Sequence, residues 1–250
     1  MLPGMDEAVE RVRQAIINEE LIVVYGDLDS DVVTATVLLT EALRGLGVEH
    51  RLVRPYIPDR VKEGYGLNME AIERIKDFGT GLIITVDCGI RSLAEIAYAN
   101  ELGVDVIVTD HHGLGQQLPD AAAILNPKRN DSDYPDRMLA GVGIAYKLAQ
   151  ALYSSLPERV LIDLDSLLDL VAVGTVADLA PLHDENRALV LAGLEVLNQL
   201  QRPGLSALAA VSGLKPGAIT AQSIGFTLGP RINAAGRLEH AYSAARLLAA

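Results

Sequence analysis

Three carboxylates alternate with other residues directly after a short apolar run, at Asp27, Asp29 and Asp31. Carboxylates this close repel one another, so an ordered arrangement calls for cations, and their oxygens suit hard ions such as Mg²⁺ and Mn²⁺. An acidic surface turn is the alternative interpretation. A calcium-binding EF-hand loop does not fit, because its glycine and closing glutamate are not at the required spacing.

Two other apolar runs end in residues of the same chemical kind, Asp87 and Asp110-His111-His112. Adjacent side chains in extended structure point to opposite sides. We therefore expect one histidine to reach a metal and the other to meet substrate or a supporting side chain. Imidazole beside carboxylates shifts the preference from Mg²⁺ towards Mn²⁺. Asp87 could instead cap a helix, and Cys88 is expected to be a small buried apolar residue.

A further carboxylate and two arginines complete the candidate chemistry. Asp178 lies in the almost wholly apolar segment 170–181, where an ionised group needs a metal or a helix end as its partner. Arg231 and Arg237 lie in the segment 229–237, read as a turn, and suit bidentate contact with phosphate, although surface arginines look the same. Two metals at such a site would activate water and stabilise both oxygens of a phosphoryl transfer.

The first half of the chain alternates short apolar strands with amphipathic helices. This pattern predicts right-handed βαβ units and an α/β fold with a doubly wound, mostly parallel sheet. Ligands bind beyond the carboxyl ends of such strands, where Asp27, Asp87 and Asp110 stand. The predicted strands are 21–25, 50–54, 82–86, 104–109 and 121–125, and the predicted helices are 6–19, 32–46, 68–78 and 91–102.

The second half of the chain is predicted to be helical. We divide the chain into an α/β metal-binding core, 1–135, and a helical part of the same domain, 136–250, that leads into a connecting helix. The polar, turn-rich segment 126–135 forms the link. The predicted helices are 141–155, 163–177, 186–200, 204–212 and 218–227, and Pro181, Pro203, Pro216 and Pro230 mark their connections.

Composition narrows the class of protein. Half of the 250 residues are hydrophobic, but no run is long enough to span a bilayer and no signal peptide is evident. A single cysteine suits a reducing cytoplasm, where we expect the protein to work without membrane contact. The net charge of −12 argues against a general polyanion-binding surface, although bound cations would reverse it locally. The chain stops inside a helical pattern, which suggests an excised domain.

On these motifs the chain resembles the DHH phosphoesterase superfamily and, within it, the RecJ single-strand exonucleases. Asp-His-His alone marks the superfamily, whereas the stretches 58–60, 64–68 and 229–237 favour the RecJ group. The matching stretches are 25–31, 56–60, 63–68, 85–89, 108–112, 126–127, 139–143, 174–178 and 229–238.

The resemblance implies a Rossmann-like domain with two Mn²⁺ or Mg²⁺ ions. It implies 5′-to-3′ digestion of single-stranded DNA to 5′-mononucleotides in repair and recombination, with a single-strand-binding protein and a helicase as possible partners. The implied metal ligands are Asp27, Asp29, Asp31, Asp87, His111 and Asp178. The implied catalytic residues are Asp87, His111, His112 and Asp110, the last as an orienting carboxylate, and the implied phosphate contacts are His112, Arg60, Arg231, Asn233 and Arg237.

The chain departs from the family pattern in two respects, and three other functions remain as alternatives. Val32 stands where the family normally has glycine, and a β-branched residue tolerates positive φ poorly, so we expect a shifted turn and a weaker second metal. The family's second domain and its OB-fold are absent from this chain. A phosphodiesterase for short RNA or cyclic dinucleotides and a pyrophosphatase would share the ligands. A non-catalytic scaffold module would keep only the fold.

Overall fold

The computed structural model describes residues 1–58, 64, 66–238 and 241–250, and a parallel sheet lies at its centre. Its strands are β1 Leu21–Tyr25, β2 Val53–Tyr56, β3 Thr80–Val86, β4 Asp105–Thr109 and β5 Ala123–Leu125. They lie in the order β2-β1-β3-β4-β5, and every pairing is parallel. The winding reverses between β1 and β3, which opens a crevice at their carboxyl ends. The predicted doubly wound, parallel sheet is confirmed.

Every residue of β1 is buried, because layers cover both faces of the sheet. Ile22 and Val24 belong to the hydrophobic cluster on one face, and Val23 and Tyr25 to the cluster on the other. Period-two alternation between two buried faces explains why the strand reads as an unbroken apolar run.

Helices from the first half of the chain cover both faces. They are α1 Met5–Ile17, α2 Ser30–Gly45, α3 Met69–Asp77 and α4 Leu93–Glu101. Buried residues of α1 and α2 join one cluster, and those of α3 and α4 join the other. A short 3-10 turn, His50–Leu52, precedes β2, so this strand begins three residues later than predicted.

The rest of the chain adds helices to the face that carries α1 and α2. These are α5 Gly141–Ser155, α6 Leu168–Ala177, α7 Asp184–Leu197, α8 Pro203–Val211, α9 Ala221–Ser223, the π-helical turn Ile224–Leu228, α10 Gly229–Leu238 and α11 Ala241–Leu248. Helix α6 is buried along nearly its whole length and packs against α2, α5 and α7. One cluster holds residues from both sides of position 135, and the division there stays a prediction.

One predicted connection is a helix instead. The segment 229–237, read as a turn because of its glycines and proline, forms α10 and continues directly from the π-helical turn. Pro230 is the second residue of α10 and directly follows the π-helical turn. Among the helices of the described residues, none has both the length and the apolar character needed to cross a membrane.

Candidate metal centre

Parallel register gathers the strand-end carboxylates at one edge of the sheet. Tyr25 is paired with Thr85, and Val86 with Thr109. The ladder continues one residue past β3, where the Asp87 amide donates to the carbonyl of Thr109 at 2.8 Å. Asp27, Asp87 and Asp110 therefore follow aligned strand ends, as the sequence predicted.

Asp27 and Asp29 each bind the backbone of the chain itself. Asp27 is 1% exposed, and its Oδ2 accepts a hydrogen bond from the Gly66 amide at 2.9 Å. Asp29 is exposed and caps α2, since its Oδ1 accepts from the Val32 amide at 3.0 Å. Asp29 therefore caps a helix, a role that the sequence had suggested for Asp87 and not for Asp29, and its metal-binding role stays a prediction.

Asp31 joins two helices to the sheet edge. Its Oδ2 and Oδ1 accept from the Gly141 and Val142 amides at 2.7 and 2.9 Å, at the positive end of α5. A Cβ on Gly174 of α6 would lie 2.8 Å from Asp31 Oδ1, so only glycine permits this approach. Burial raises the pKa of Asp31 well above its usual range, and the charges of Asp87 and Asp178 raise it further.

Val32 does not require positive φ, so the expectation of a shifted turn is wrong. It lies in the first turn of α2 and is absent from the described non-glycine residues with positive φ. Its side chain is fully buried, and a Cβ on Gly26 would lie 2.7 Å from its Cγ1. Valine suits this buried position in the helix because its side chain packs in the core. The presence of Val32 in place of the family's glycine therefore gives no reason to expect a weaker metal site.

Asp87 has a left-handed backbone at the end of β3. Its φ is 58°, in a region that aspartate adopts more readily than most non-glycine residues. It is 3% exposed, and burial together with the charges of Asp29 and Asp110 raises its pKa well above the usual range. Burial likewise raises the pKa of the adjacent Cys88, which is a buried thiol as expected.

His111 faces Asp87 with its Nε2. Its Nδ1 lies 3.1 Å from the carbonyl oxygen of Leu139, which can only accept, so in the neutral imidazole Nδ1 carries the proton and Nε2 is the acceptor. Nε2 is 3.0 Å from Asp87 Oδ1, an oxygen that has no hydrogen-bond partner among the described residues. Two facing acceptors, one of them buried, form an arrangement that a cation would satisfy.

His112 and Asp110 form a supporting pair. Asp110 Oδ1 accepts from the backbone amide of His112 at 2.9 Å and lies 2.8 Å from its Nδ1, while Oδ2 accepts from the Ile90 amide at 3.0 Å. Burial acts to raise the pKa of Asp110, but these hydrogen bonds outweigh it and lower that pKa. The same contact with Asp110 raises the pKa of His112.

The two imidazoles do not diverge as adjacent side chains of a strand would. Strand β4 ends at Thr109, and the rings meet edge to face, with centroids 4.8 Å apart. His112 Nδ1 lies 3.7 Å from the same Asp87 Oδ1 that His111 approaches. The expectation of opposite directions is wrong because the chain has left extended structure before His111.

Asp178 comes from α6 on the opposite side of the crevice. It caps the C-terminal end of α6, and its Oδ2 lies 3.9 Å from His111 Nδ1. Burial raises its pKa, and the charge of His111 opposes that rise. Two groups with one potential ligand atom per residue, all within 4.8 Å of one another, occur in the described part of the chain: Asp87, His111, His112 and Asp31, His111, Asp178.

These groups contain four of the six predicted ligands and exclude Asp27 and Asp29. His111 is common to both groups. The assignment of each ligand stays a prediction.

Four other residues were predicted to contact phosphate. Asn233 Oδ1 accepts from both the amide and the hydroxyl of Ser30, each at 2.8 Å, which fixes α10 to the start of α2. Arg231 is exposed and donates to the carbonyl of Thr227 at 2.9 Å within its own helix. Arg60 and the side chain of Arg237 lie outside the described residues. All four assignments stay predictions.

Several residues that shape the site had no predicted role. Leu139 orients His111 through its carbonyl group. Gly141 packs so closely that a Cβ there would lie 2.6 Å from Asp87 Cβ. Asn126 Nδ2 donates to the carbonyl of His112 at 3.0 Å, fixing the loop after β4. The motifs 126–127 and 139–143 were recognised in the sequence. The local pattern did not show that they would contribute through backbone atoms and through the absence of a side chain.

The parallel sheet carries a cluster of carboxylates and imidazoles at one edge. Comparison with known protein families identifies the family that has this arrangement. The family described as "DHH family, N-terminal domain" matches residues 21–175, and the chain belongs to that family. Over 247 residues it is 49% identical to the single-stranded-DNA-specific exonuclease RecJ of Bacillus subtilis, covering 99% of this chain and 30% of that protein.

Solved structures agree with this assignment. The crystal structure of exonuclease RecJ bound to manganese superposes with a TM-score of 0.89 at 39% identity, covering all of this chain and 61% of that one. Thermus thermophilus RecJ in complex with Mg²⁺ gives a TM-score of 0.73 at 34% identity, with all of this chain and 32% of that one covered. The chain thus spans less than two thirds of the relatives it matches.

Proposed function

We propose that this chain is the catalytic DHH domain of a metal-dependent exonuclease that hydrolyses single-stranded DNA from its 5′ end to 5′-mononucleotides, in DNA repair and recombination. The observation that carries the proposal is the buried Asp87 Oδ1, which has no hydrogen-bond partner in the described part of the chain and lies 3.0 Å from His111 Nε2. Relatives named as single-stranded-DNA-specific exonucleases supply the substrate class.

The donor set fits two divalent cations of the Mn²⁺ or Mg²⁺ type. Carboxylates dominate it and one imidazole joins them, which suits Mn²⁺ well. Asp31, Asp87, His111 and Asp178 lie within these clusters and would supply ligands to the ions. Bound there, such ions activate water and stabilise the charge that develops on the phosphoryl oxygens. Solved structures of relatives bound to manganese and in complex with Mg²⁺ support both choices.

The chain itself supplies orientation and a restricted environment. Leu139 fixes the tautomer of His111, and Asp110 fixes the ring of His112 through Nδ1. Nε2 of His112 is then the nitrogen left for the substrate, and its side chain is 48% exposed, unlike that of His111 at 13%. This difference in exposure supports the proposal that His112 meets the scissile phosphate while His111 binds metal.

The net charge of −12 requires that cations and a few basic side chains attract the strand, since the surface as a whole repels it. Arg60, Arg231, Asn233 and Arg237 remain the proposed phosphate contacts, and Asp27 and Asp29 remain proposed ligands. A single-strand-binding protein and a helicase are proposed partners on the family resemblance alone. The single cysteine is consistent with a cytoplasmic location.

Digestion of labelled DNA tests the proposal directly. The 250-residue chain is incubated with 5′-labelled single-stranded and duplex oligonucleotides, with Mn²⁺ or with EDTA. We expect labelled mononucleotide from the single strand only, in the presence of Mn²⁺ only. Labelled dinucleotides and cyclic dinucleotides, run in parallel, would show the short-substrate rival if they turned over much faster than long strands.

Calorimetric titration with Mn²⁺ separates an enzyme from a scaffold module. We expect saturable binding that is lost in Asp87→Asn. A chain that neither binds Mn²⁺ nor releases mononucleotide would refute the proposed function.

A further inference from the structure

A cavity of about 340 Å³ opens beside the candidate metal centre. Asp87, Asp110 and His112 form one side of it, and the remaining walls come from residues that have no role in the chemistry described above. This volume lies near the lower end of the roughly 300–1,000 Å³ typical of small-molecule pockets. It therefore has room for one nucleoside and not for a run of nucleotides.

The walls of the cavity are held by the same carboxylates that form the site. One wall is fixed where the Gly66 amide donates to Asp27 Oδ2 at 2.9 Å and Tyr25 donates its hydroxyl to the Gly66 carbonyl at 2.8 Å. The facing wall is fixed where the Ile90 amide donates to Asp110 Oδ2 at 3.0 Å. The cavity is thus part of the rigid framework that positions the metal ligands.

Its lining combines apolar walls with two charged side chains. Leu67 and Ile90 line the cavity with the small part of each side chain, 4% and 2%, that is not packed in the core. Glu95, half-buried in the first turn of α4, offers a carboxylate acceptor. Arg91 donates Nε to the carbonyl of Gly113 at 2.8 Å and lines the same cavity as His112. Apolar walls with a few convergent polar groups are typical of a pocket for a planar ligand.

We infer that this cavity binds the nucleoside of one of the two nucleotides that flank the scissile phosphate. Leu67 and Ile90 enclose the base, Glu95 accepts from its N–H groups, and Arg91 contacts the phosphate attached to that nucleoside. Pockets that hold a single base read it through stacking on apolar side chains and hydrogen bonds to its edge, and arginine suits phosphate. A free phosphate ion fits poorly, because Glu95 would repel it.

The inference rests on the proposed function and assigns Arg91 and Glu95 to positioning and selectivity, not to the chemical step. Glu95→Trp is designed to fill the cavity, and Glu95→Gln keeps its shape while removing the charge. Glu101→Trp, at the exposed far end of α4, is the matched control for a bulky replacement.

Abasic substitution gives the decisive measurement. Single-stranded oligonucleotides carry an abasic residue at the first or the second position from the 5′ end, and kcat and KM are measured with Mn²⁺. In the unaltered chain we expect one of the two positions to raise KM about tenfold, as expected for the loss of one stacked base. Glu95→Trp should raise KM similarly for normal DNA and show no further penalty for the abasic strand, with kcat unchanged. Glu101→Trp should behave as the unaltered chain.

Equilibrium binding of dAMP, dCMP, dGMP and dTMP in Mn²⁺ provides a readout that needs no turnover. Arg91→Ala should weaken all four about tenfold, since a charged phosphate contact is lost, and Glu95→Gln should change their relative affinities. If both variants and Glu95→Trp bind all four as the unaltered chain does, the cavity is not a nucleoside site. If the unaltered chain binds mononucleotides in the cavity but releases none from DNA, the proposed function fails, whereas the cavity remains a nucleoside-binding site.

Discussion

Two buried aspartates of this protein, Asp169 and Asp87, have opposite surroundings although they are 4% and 3% exposed. Asp169, at the start of α6, accepts from Arg202 Nε at 2.9 Å. The same guanidinium donates Nη1 to Glu41 and to the carbonyl of Leu248, each at 2.8 Å. The chain supplies its own cation here, and the result is a tie between α2, α6 and the C-terminal helix.

Asp87 has no lysine or arginine partner within the described residues, and its charged neighbours include Asp29 and Asp110. Burying a carboxylate without a cation is costly. The fold accepts that cost at the sheet edge and avoids it at Asp169. The difference separates a carboxylate that stabilises the structure from one that is kept available for an external cation.

The largest expected effect is the loss of activity on changing Asp87. Asp87→Asn should lower Mn²⁺-dependent release of mononucleotides by about three orders of magnitude or more, as for residues that act as a unit in catalysis. His111→Ala should do the same. Thermal unfolding in EDTA should give an equal or higher Tm for Asp87→Asn, because a buried charge among carboxylates is removed. A variant with near-normal rates at saturating Mn²⁺ would disprove the site assignment.

At Asp169 we expect the opposite result, a loss of stability without a loss of metal binding. Asp169→Ala should lower the free energy of unfolding by about 3 kcal/mol, the lower part of the range for breaking a buried ion pair, because Glu41 still holds Arg202. Urea denaturation measures this, with the exposed Glu158→Ala as control. Mn²⁺ affinity of the folded protein, measured by calorimetry, should not change. A loss of metal binding would show that the two regions are not independent.

A smaller effect is expected at Asp110, which orients His112. Both of its carboxylate oxygens already accept hydrogen bonds from the protein itself. Asp110→Asn keeps one carbonyl acceptor but removes the charge that orients the ring. Activity should fall about 10- to 100-fold, as for other residues that orient a metal-site histidine, while Mn²⁺ affinity changes less. Rates and titrations on the same preparation test this. Equal losses in Asp110→Asn and Asp87→Asn would make Asp110 a ligand.

The smallest expected effect concerns pH. Burial raises the folded-state pKa of Asp31, Asp87 and Asp178. The metal-free folded state therefore binds more protons than the unfolded state above the ordinary aspartate pKa, and its stability falls as pH rises through the raised values. Mn²⁺ replaces those protons.

The increase in Tm caused by Mn²⁺ should therefore be larger at pH 8 than at pH 6, by about 3 °C if the difference is near 1 kcal/mol. The difference should shrink in Asp87→Asn and persist in Glu158→Ala. An increase that is larger at pH 6 would contradict the pKa directions at this site.

The sheet and its functional edge could be predicted from sequence because both depend on short-range patterns. The apolar runs before Asp27, Asp87 and Asp110 are buried strands, and parallel pairing brings the ends of such strands to one edge whatever the loops do. The helices of the second half followed from periodicity in the same way. Segment 229–237 was misread because glycine and proline signal a turn locally, whereas packing of Asn233 on Ser30 holds it as a helix.

The amino-acid sequence by itself determined which groups could serve: the carboxylates, the two histidines and the order of the strands that carry them. Only the tertiary structure decided what each one does. It placed the carbonyl of Leu139 against His111, the amides of α5 on Asp31 and, among the residues that the structure describes, no lysine or arginine against Asp87. Those contacts join residues far apart in the chain, and their distances depend on packing between helices and the sheet, which no local pattern encodes.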